Sequence, residues 1–440
     1  MTEIRKELNV FCYLCSMFIN EETWNFVRRH QDGDVRKVAL QGTKEAGVDL
    51  TLALQQIAGW QTARRKLPTW AAVEGVVYPP HLNMEQCSSE QTARYKARIV
   101  DSQCLDHELF VDLTGGLGVD FYFMSQGFSQ RIYVEQNPDL CALAEHNFRL
   151  LDLACSVCCC DTAAYLAKLP HASVIFLDPA RRNEHGGRTY SIEDCSPNVL
   201  ELLPQLMEKA DKVVLKLSPM LDWHQAVEAL KYVTEVHIVS VDNECKELLL
   251  VLGQEETESL RVVCVNGDSS FEFAPMRGTN YSQAGNKTFP RWEQNIPTPG
   301  KNTPERSLYL YEPNASVMKA GCYSALEERF PIQQVAQNSH LFLSHQEVAG
   351  FPGRRFQVLA VSSMNKKELT ATLSSLKSAN IAVRNFPMTA DELRKKLKLK
   401  DGGDTYIFAT TTQDGQHKLL ICVKIVKDLG VSRFFAIFAR

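Results

Sequence analysis

Through the middle of the 440-residue chain, short apolar runs alternate with amphipathic segments. Leu109–Leu113, Arg131–Glu135, Ser156–Cys160, Val174–Leu177, Lys212–Leu217 and Glu235–Val241 read as six strands. Between them Pro138–Leu150, Val199–Lys209 and His224–Tyr232 carry helical spacing, although Pro204 strains the second. Glu247–Leu252 follows as a candidate seventh strand, antiparallel to the sixth. Such alternation predicts a doubly wound α/β sheet, with its ligand site outside the carboxyl ends of the strands.

The flanks read differently. Residues 1–100 are predicted mostly helical. Glu21–Arg29 and Thr51–Ala63 place apolar side chains at helical spacing, and Ser88–Lys96 opens like a capped helix. Residues 253–273 read as a polar strand pair, and Tyr281–Glu305, rich in Gly, Pro, Asn and Gln, as a linker. Beyond it, Phe356–Ser362, Ile381–Phe386, Thr405–Thr410 and Lys418–Lys424 read as strands, with helices at Lys366–Ser378 and Asp391–Leu399, an α+β pattern.

Composition narrows the class. Hydrophobic residues make up 45% and charged residues 23%, which excludes wholesale disorder. The length suggests two to four domains at about 100–200 residues each. No apolar run reaches the ~18 residues of a membrane span. Val10–Ile19 has Glu3 and Glu7 where a leader would be basic, and Glu21 and Glu22 where a cleavage site would be small, so a cytoplasmic protein is expected. The fourteen cysteines include the pairs Cys12/Cys15 and Cys155/Cys158, the latter beside Cys159 and Cys160. No histidine pair shares their spacing, and reduced thiols without a metal are the expectation. The net charge of −4 hides an asymmetry: residues 301–440 carry 20 Lys+Arg against 12 Asp+Glu, and residues 1–300 carry 28 against 40. The basic C-terminal part points to an anionic partner, or merely to a basic surface.

The chemistry concentrates at strand ends. Asp112 is followed by Thr114-Gly115-Gly116-Leu117-Gly118, an acidic strand end and a glycine turn that lets backbone approach a cofactor. Glu135 closes the second strand, placed to accept from both hydroxyls of a ribose. Asp161 follows the third strand, either as an acceptor for an adenine amino group or as a helix cap. Asp178-Pro179-Ala180-Arg181 closes the fourth, over the presumed reaction centre. Lys216-Leu217-Ser218-Pro219 ends the fifth, without a cysteine nucleophile.

Together these motifs resemble the class I S-adenosylmethionine-dependent methyltransferases over roughly residues 100–255, with Thr114 in place of the usual first glycine. The resemblance implies a Rossmann-like sheet. It also implies S-adenosylmethionine held by Asp112, Thr114, Gly115, Gly116, Gly118, Glu135, Asp161 and Asp178, with Asp178 and Arg181 at the reacting centre. Asp178-Pro179 matches the pattern of amino-group methyltransferases, whereas Ala180 and Arg181 depart from it; base stacking would then fall to Arg181.

A longer likeness joins Gln56-Ile57-Ala58-Gly59, Glu85–Glu90, Asp178–Arg182, Tyr311-Glu312-Pro313, Arg384–Pro387 and Leu397–Gly403. These resemble bacterial methyltransferases carrying a ferredoxin-like piece and a C-terminal THUMP-like domain. The implied division is a helical region over 1–100, a methyltransferase domain over 101–271, a ferredoxin-like segment and linker over 272–316, and a THUMP-like domain over 317–440. THUMP domains belong to RNA-modifying enzymes, so the implied partner is RNA, tRNA or rRNA, with direct methyl transfer to a base. The competing readings are a methyltransferase for a small molecule or protein, and an inactive RNA-binding scaffold.

Overall fold

A computed structural model describes residues 19–181, 192–256, 259–275 and 307–425. It forms two compact units, Met1–Val236 with Leu248–Thr257 and His237–Glu247 with Glu258–Arg440. The stretch Val10–Met17, the pair Cys12/Cys15, Arg182 and the linker Tyr281–Glu305 lie outside the described residues.

The first unit begins with helices α1 (Glu21–His30), α2 (Leu50–Lys66) and α3 (Glu90–Gln103). Each starts where a short polar side chain satisfies a helix-end amide: Asn20 accepts from Thr23 N, Asp49 from Leu52 N and Ser89 from Thr92 N. The apolar stripes of α1 and α2 meet through Phe26, Val27, Ala53 and Ile57. Two amide side chains clasp the segment after α2. Gln56 pairs with both the amide and the carbonyl of Tyr78, and Asn147 does the same for Val77. A Cβ at Gly59 would come within 2.3 Å of Tyr78, so Gln56 and Gly59 serve one packing contact.

Next come β1 (Leu109–Asp112), α4 (Val119–Met124), β2 (Gln130–Glu135), α5 (Pro138–Leu150), β3 (Ser156–Cys159), α6 (Thr162–Leu166) and β4 (Ala172–Leu177). They are followed by α7 (Val199–Lys209), β5 (Ala210–Leu217), α8 (Trp223–Leu230), β6 (Val233–Val241) and β7 (Glu244–Leu252). Strand order is 3-2-1-4-5-7-6. Strands β3, β2, β1, β4 and β5 run parallel, and β7 runs antiparallel to β5 from Val213↔Leu252 to Leu217↔Leu248. The seventh strand thus pairs with the fifth as well as the sixth, inserted between them. β1 and β4 are buried along their whole length, as central parallel strands covered on both faces must be. β3 is the edge, and Cys159 there is exposed rather than packed as a core hydrophobe. Helix α7 runs unbroken past Pro204.

The second unit holds the hairpin β8 (Arg261–Asn266) and β9 (Ser269–Phe273). It continues with β10 (Leu308–Pro313), α9 (Ala315–Ala320), α10 (Tyr323–Arg329), β11 (Phe342–Ser344), β12 (Gly353–Ser363), α11 (Lys366–Leu373), β13 (Asn380–Arg384), α12 (Ala390–Leu397), β14 (Thr405–Thr411) and β15 (His417–Lys424). Its sheet runs β11-β10-β12-β15-β14-β13, with the two-residue strand Gln333–Gln334 beside β11. Only the edge strand β13 pairs in parallel. Helix α11 stops at Leu373, short of the predicted Ser378. α12 carries a capping box between Thr389 and Glu392, buries Leu393 and exposes Lys395 and Lys396. No helix among the described residues is long and apolar enough to cross a membrane.

Candidate active site

The glycine turn sits where β1 ends, on a floor of aromatic rings. Asp112 accepts from Thr114 N at 2.9 Å, which starts the turn. Gly115 N bonds Val134 O at 2.9 Å, drawing the turn onto β2. A Cβ at Gly115 would lie 2.1 Å from the ring of Tyr133, and one at Gly118 would lie 2.4 Å from Phe148. Tyr133 and Phe148 pack edge-on at 5.5 Å, Phe121 packs against both, and the Tyr133 hydroxyl donates to Gly116 O. Gly116 and Gly118 have φ of 55° and 82°, the left-handed region that glycine enters without strain. Thr114, where a glycine is usual, has a definite task here. Its hydroxyl accepts from the backbone amide of Asp178 at 2.6 Å, tying the end of β1 to the end of β4.

One cavity of about 330 Å³ opens above this turn. Asp112, Thr114, Gly115, Gly116, Gly118, Glu135 and Asp178 all line it, so most of the sequence-predicted set converges. Each Glu135 carboxylate oxygen accepts one backbone amide, Gly116 N at 2.9 Å and Asn137 N at 2.8 Å. A carboxylate so held keeps lone pairs for two more donors. Asp161 stands apart from the cavity wall: its Oδ1 caps α6, accepting from Ala164 N at 3.0 Å, while its neighbour Thr162 lines the cavity. Arg181 lies on a two-residue strand paired with Cys195–Ser196, and its side chain is outside the described residues.

The structure adds a buried charge relay that the motifs did not reveal. Lys216, at the end of β5, puts its Nζ 2.5 Å from Asp178 Oδ2 and 3.6 Å from Asp120 Oδ2. Lys96 of α3, with no exposed surface, lies 3.1 Å from Asp120 Oδ1, an ionic contact without hydrogen-bond alignment. Ser88 completes it, donating to Asp120 Oδ2 at 2.7 Å. Burial alone would raise the Asp120 carboxyl, but Lys96 and Lys216 outweigh it and hold it below its ordinary value. Among the described residues no cation is paired with Asp112. Burial pushes its carboxyl well above the carboxylate range, the Thr114 amide only partly opposes this, and the charges of Asp120, Asp178 and Glu135 add to it. A sequence signal for the relay existed in Lys96, a charge on the buried side of α3 between Ala93 and Ile99. Glu90 is occupied structurally, accepting from Thr69 N and Oγ1 and from Arg94.

Strand order and turn define the class I S-adenosylmethionine-dependent methyltransferase fold. Comparisons agree and extend it. A family profile described as a ferredoxin-like domain matches residues 309–352, and one described as THUMP domain-like matches 353–424. The ferredoxin-like match overlaps the 272–316 implied by the resemblance at 309–316 and extends beyond it to 352. A crystal structure from Porphyromonas gingivalis W83, provisionally assigned as a methyltransferase, is 29% identical, covers 91% of this chain and 97% of that one, and superposes with a TM-score of 0.76. A provisionally assigned class I S-adenosylmethionine-dependent methyltransferase from Listeria monocytogenes matches at 10% identity over 58% of this chain and 93% of that one, TM-score 0.36. An S-adenosylmethionine-dependent methyltransferase from Agrobacterium tumefaciens matches at 16% identity over 38% and 62%, TM-score 0.30. These last two superpose too loosely to bear on anything further. The curated proteins yield no match. The chain therefore joins a methyltransferase fold to C-terminal ferredoxin-like and THUMP-like parts.

Proposed function

We propose that this protein is a cytoplasmic enzyme that transfers a methyl group from S-adenosylmethionine to a base of RNA, tRNA or rRNA. The domain division proposed is a helical region over 1–100 and a methyltransferase domain over 101–271, followed by a C-terminal part in which the ferredoxin-like match takes 309–352 and the THUMP-like match 353–424. The observation that carries the reading is the convergence of Asp112, Glu135 and Asp178 on one cavity above the glycine turn. The cavity fits the cofactor. A Cβ at Gly116 would meet nothing nearer than Thr114 O at 3.8 Å, which leaves room against the backbone for a bound group. The free lone pairs of Glu135 suit vicinal hydroxyls, and Asp112, without a paired cation among the described residues, suits an ammonium.

When bound, S-adenosylmethionine supplies an electrophilic methyl group on a good leaving group. The protein then has to position the acceptor, which accounts for most of the rate in such a displacement. Asp178 is the positioning group: Lys216 engages its Oδ2 and Thr114 its backbone amide, which leaves Oδ1 to accept from an N–H of the target. Asp178 thus orients the target amine for in-line attack, and the proton shed by the methylated nitrogen passes to solvent. The basic balance of residues 301–440 and the THUMP-like match support RNA as the acceptor. The test is methyl transfer from labelled S-adenosylmethionine to RNA from cells lacking the protein. Label in that RNA and not in RNA from normal cells, lost with Asp178→Ala, is the expected result. No label in either, with cofactor binding intact, moves the substrate to a small molecule or protein.

A further inference from the structure

Lys216 has two carboxylates within reach and chooses the less buried one. Its Nζ donates to Asp178 Oδ2 at 2.5 Å and stays 3.6 Å from Asp120 Oδ2, beyond hydrogen-bond length. The Asp178 side chain is 39% exposed and that of Asp120 is 11% exposed. Burial strengthens the pull of a carboxylate on a cation, so on that ground alone Lys216 would sit on Asp120.

The helical region supplies the reason it does not. Lys96 of α3 lies 3.1 Å from Asp120 Oδ1, and Ser88 donates to Asp120 Oδ2 at 2.7 Å. Lys96 also donates to Ser88 Oγ at 3.2 Å, which closes a triangle around the acid. Asp120 is on the first turn of α4, Lys216 near the end of β5, and Asp178 just beyond β4. Lys96 therefore reaches the reacting centre through two intervening side chains.

We propose that Lys96 is a positioning residue for methyl transfer: by satisfying Asp120 it leaves Lys216 to Asp178, which keeps Asp178 Oδ1 aimed at the acceptor amine. Without Lys96, Asp120 draws the Lys216 ammonium across and Asp178 is released to turn. The inference rests on the reading of Asp178 as the group that orients the acceptor.

The test uses the full chain, labelled S-adenosylmethionine and RNA from cells lacking the protein. Lys96→Met should lower kcat by about tenfold or more, while KM for the RNA and cofactor affinity by calorimetry hold within about twofold. The loss should widen as pH rises, because only the ionised Asp120 draws Lys216 away. Besides the two lysines, Asp120 faces Asp112 and the Cys87 thiol; both are present in each protein, so the ratio of the two rates isolates Asp120. Lys96→Met/Asp120→Leu removes the competing acid and should return kcat to within about threefold of the wild type. Ile57→Ala, a truncation in the core between α1 and α2, lowers stability alone and should leave kcat unchanged. Ser88→Ala takes the other donor from Asp120 and should lower kcat about threefold in the same pattern, which decides the matter if Lys96→Met fails to fold by circular dichroism. A crystal structure of the folded variant reads the geometry without turnover: Lys216 should lie within hydrogen-bond distance of Asp120 and away from Asp178. Lys216 still on Asp178, wild-type kcat in the folded variants, a loss independent of pH, or no recovery in the double variant overturns the proposal. A shifted Lys216 in a protein whose wild type methylates no RNA leaves the positioning of Asp178 standing and sinks the RNA reading alone.

Discussion

Replacing Lys96 by Met removes one cation from the buried relay and keeps most of the side-chain volume. Lys96 has no exposed surface, and its ammonium lies 3.1 Å from Asp120 Oδ1 and 3.2 Å from Ser88 Oγ. Stripping one partner from a buried pair costs about 3–5 kcal/mol. Asp120 keeps Ser88 and the more distant Lys216, so the low end applies, about 3 kcal/mol, or a fall in Tm of roughly 6–12 °C for a unit of this size. The pH dependence sharpens the expectation. In the wild type the Asp120 carboxyl lies below its ordinary value, so its contribution is present above about pH 4 and fades as pH falls through the lowered value. Without Lys96, burial prevails, the carboxyl rises, and the variant loses stability as pH increases. The assay is thermal melting by circular dichroism at about pH 4.5 and about pH 7.5. The gap between the proteins should be wide at the higher pH and narrow at the lower. The double variant Lys96→Met/Asp120→Leu should recover much of the loss. A gap under about 2 °C at the higher pH, or one independent of pH, would refute the electrostatic account.

Three further outcomes follow from the site. Asp178→Asn should keep cofactor affinity within about threefold while kcat drops by about tenfold or more, measured by calorimetry and label transfer; equal loss of both would make Asp178 a cofactor ligand only. Cofactor affinity should rise with pH above the ordinary carboxylate range, because the raised Asp112 carboxyl must ionise to hold an ammonium. Its burial costs the free protein stability as pH rises above the unfolded value, so Asp112→Asn should raise Tm at neutral pH while abolishing binding; a lowered Tm contradicts this. Gly118→Ala combines a φ of 82°, about 1–2 kcal/mol for a residue with a Cβ, with a 2.4 Å approach to Phe148. Its melting temperature should fall by at least about 4 °C, and an unchanged one would mean that the ring yields freely.

Much of the first unit was legible because its signals are local. Pro138–Leu150 and Val199–Lys209 are helices over the predicted spans, and the acids at the ends of β1, β2 and β4 sit where the alternation of strands and helices put them. What escaped depends on distant partners. Ser88, Lys96, Asp120 and Lys216 meet only after α3, α4 and β5 have packed, and nothing near any one of them in sequence names the others. Strand β10 and helices α9 and α10 escaped because they are short and poor in periodic contrast; their burial is set by the sheet around them. For Asp161 the sequence left two roles open, and the structure shows the cap: one carboxylate oxygen is taken by its own helix.

The rings beneath the glycine turn also constrain how this protein can change over generations. Gly115 and Tyr133 sit on different elements, yet no side chain fits at the first while the ring occupies the second. Gly118 and Phe148 are bound in the same way. Either member of a pair is then blocked from drifting alone, and a lineage that gains alanine at 115 should already carry a smaller residue at 133. Paired substitution at these positions, in that order, is the trace this floor of rings should leave among relatives.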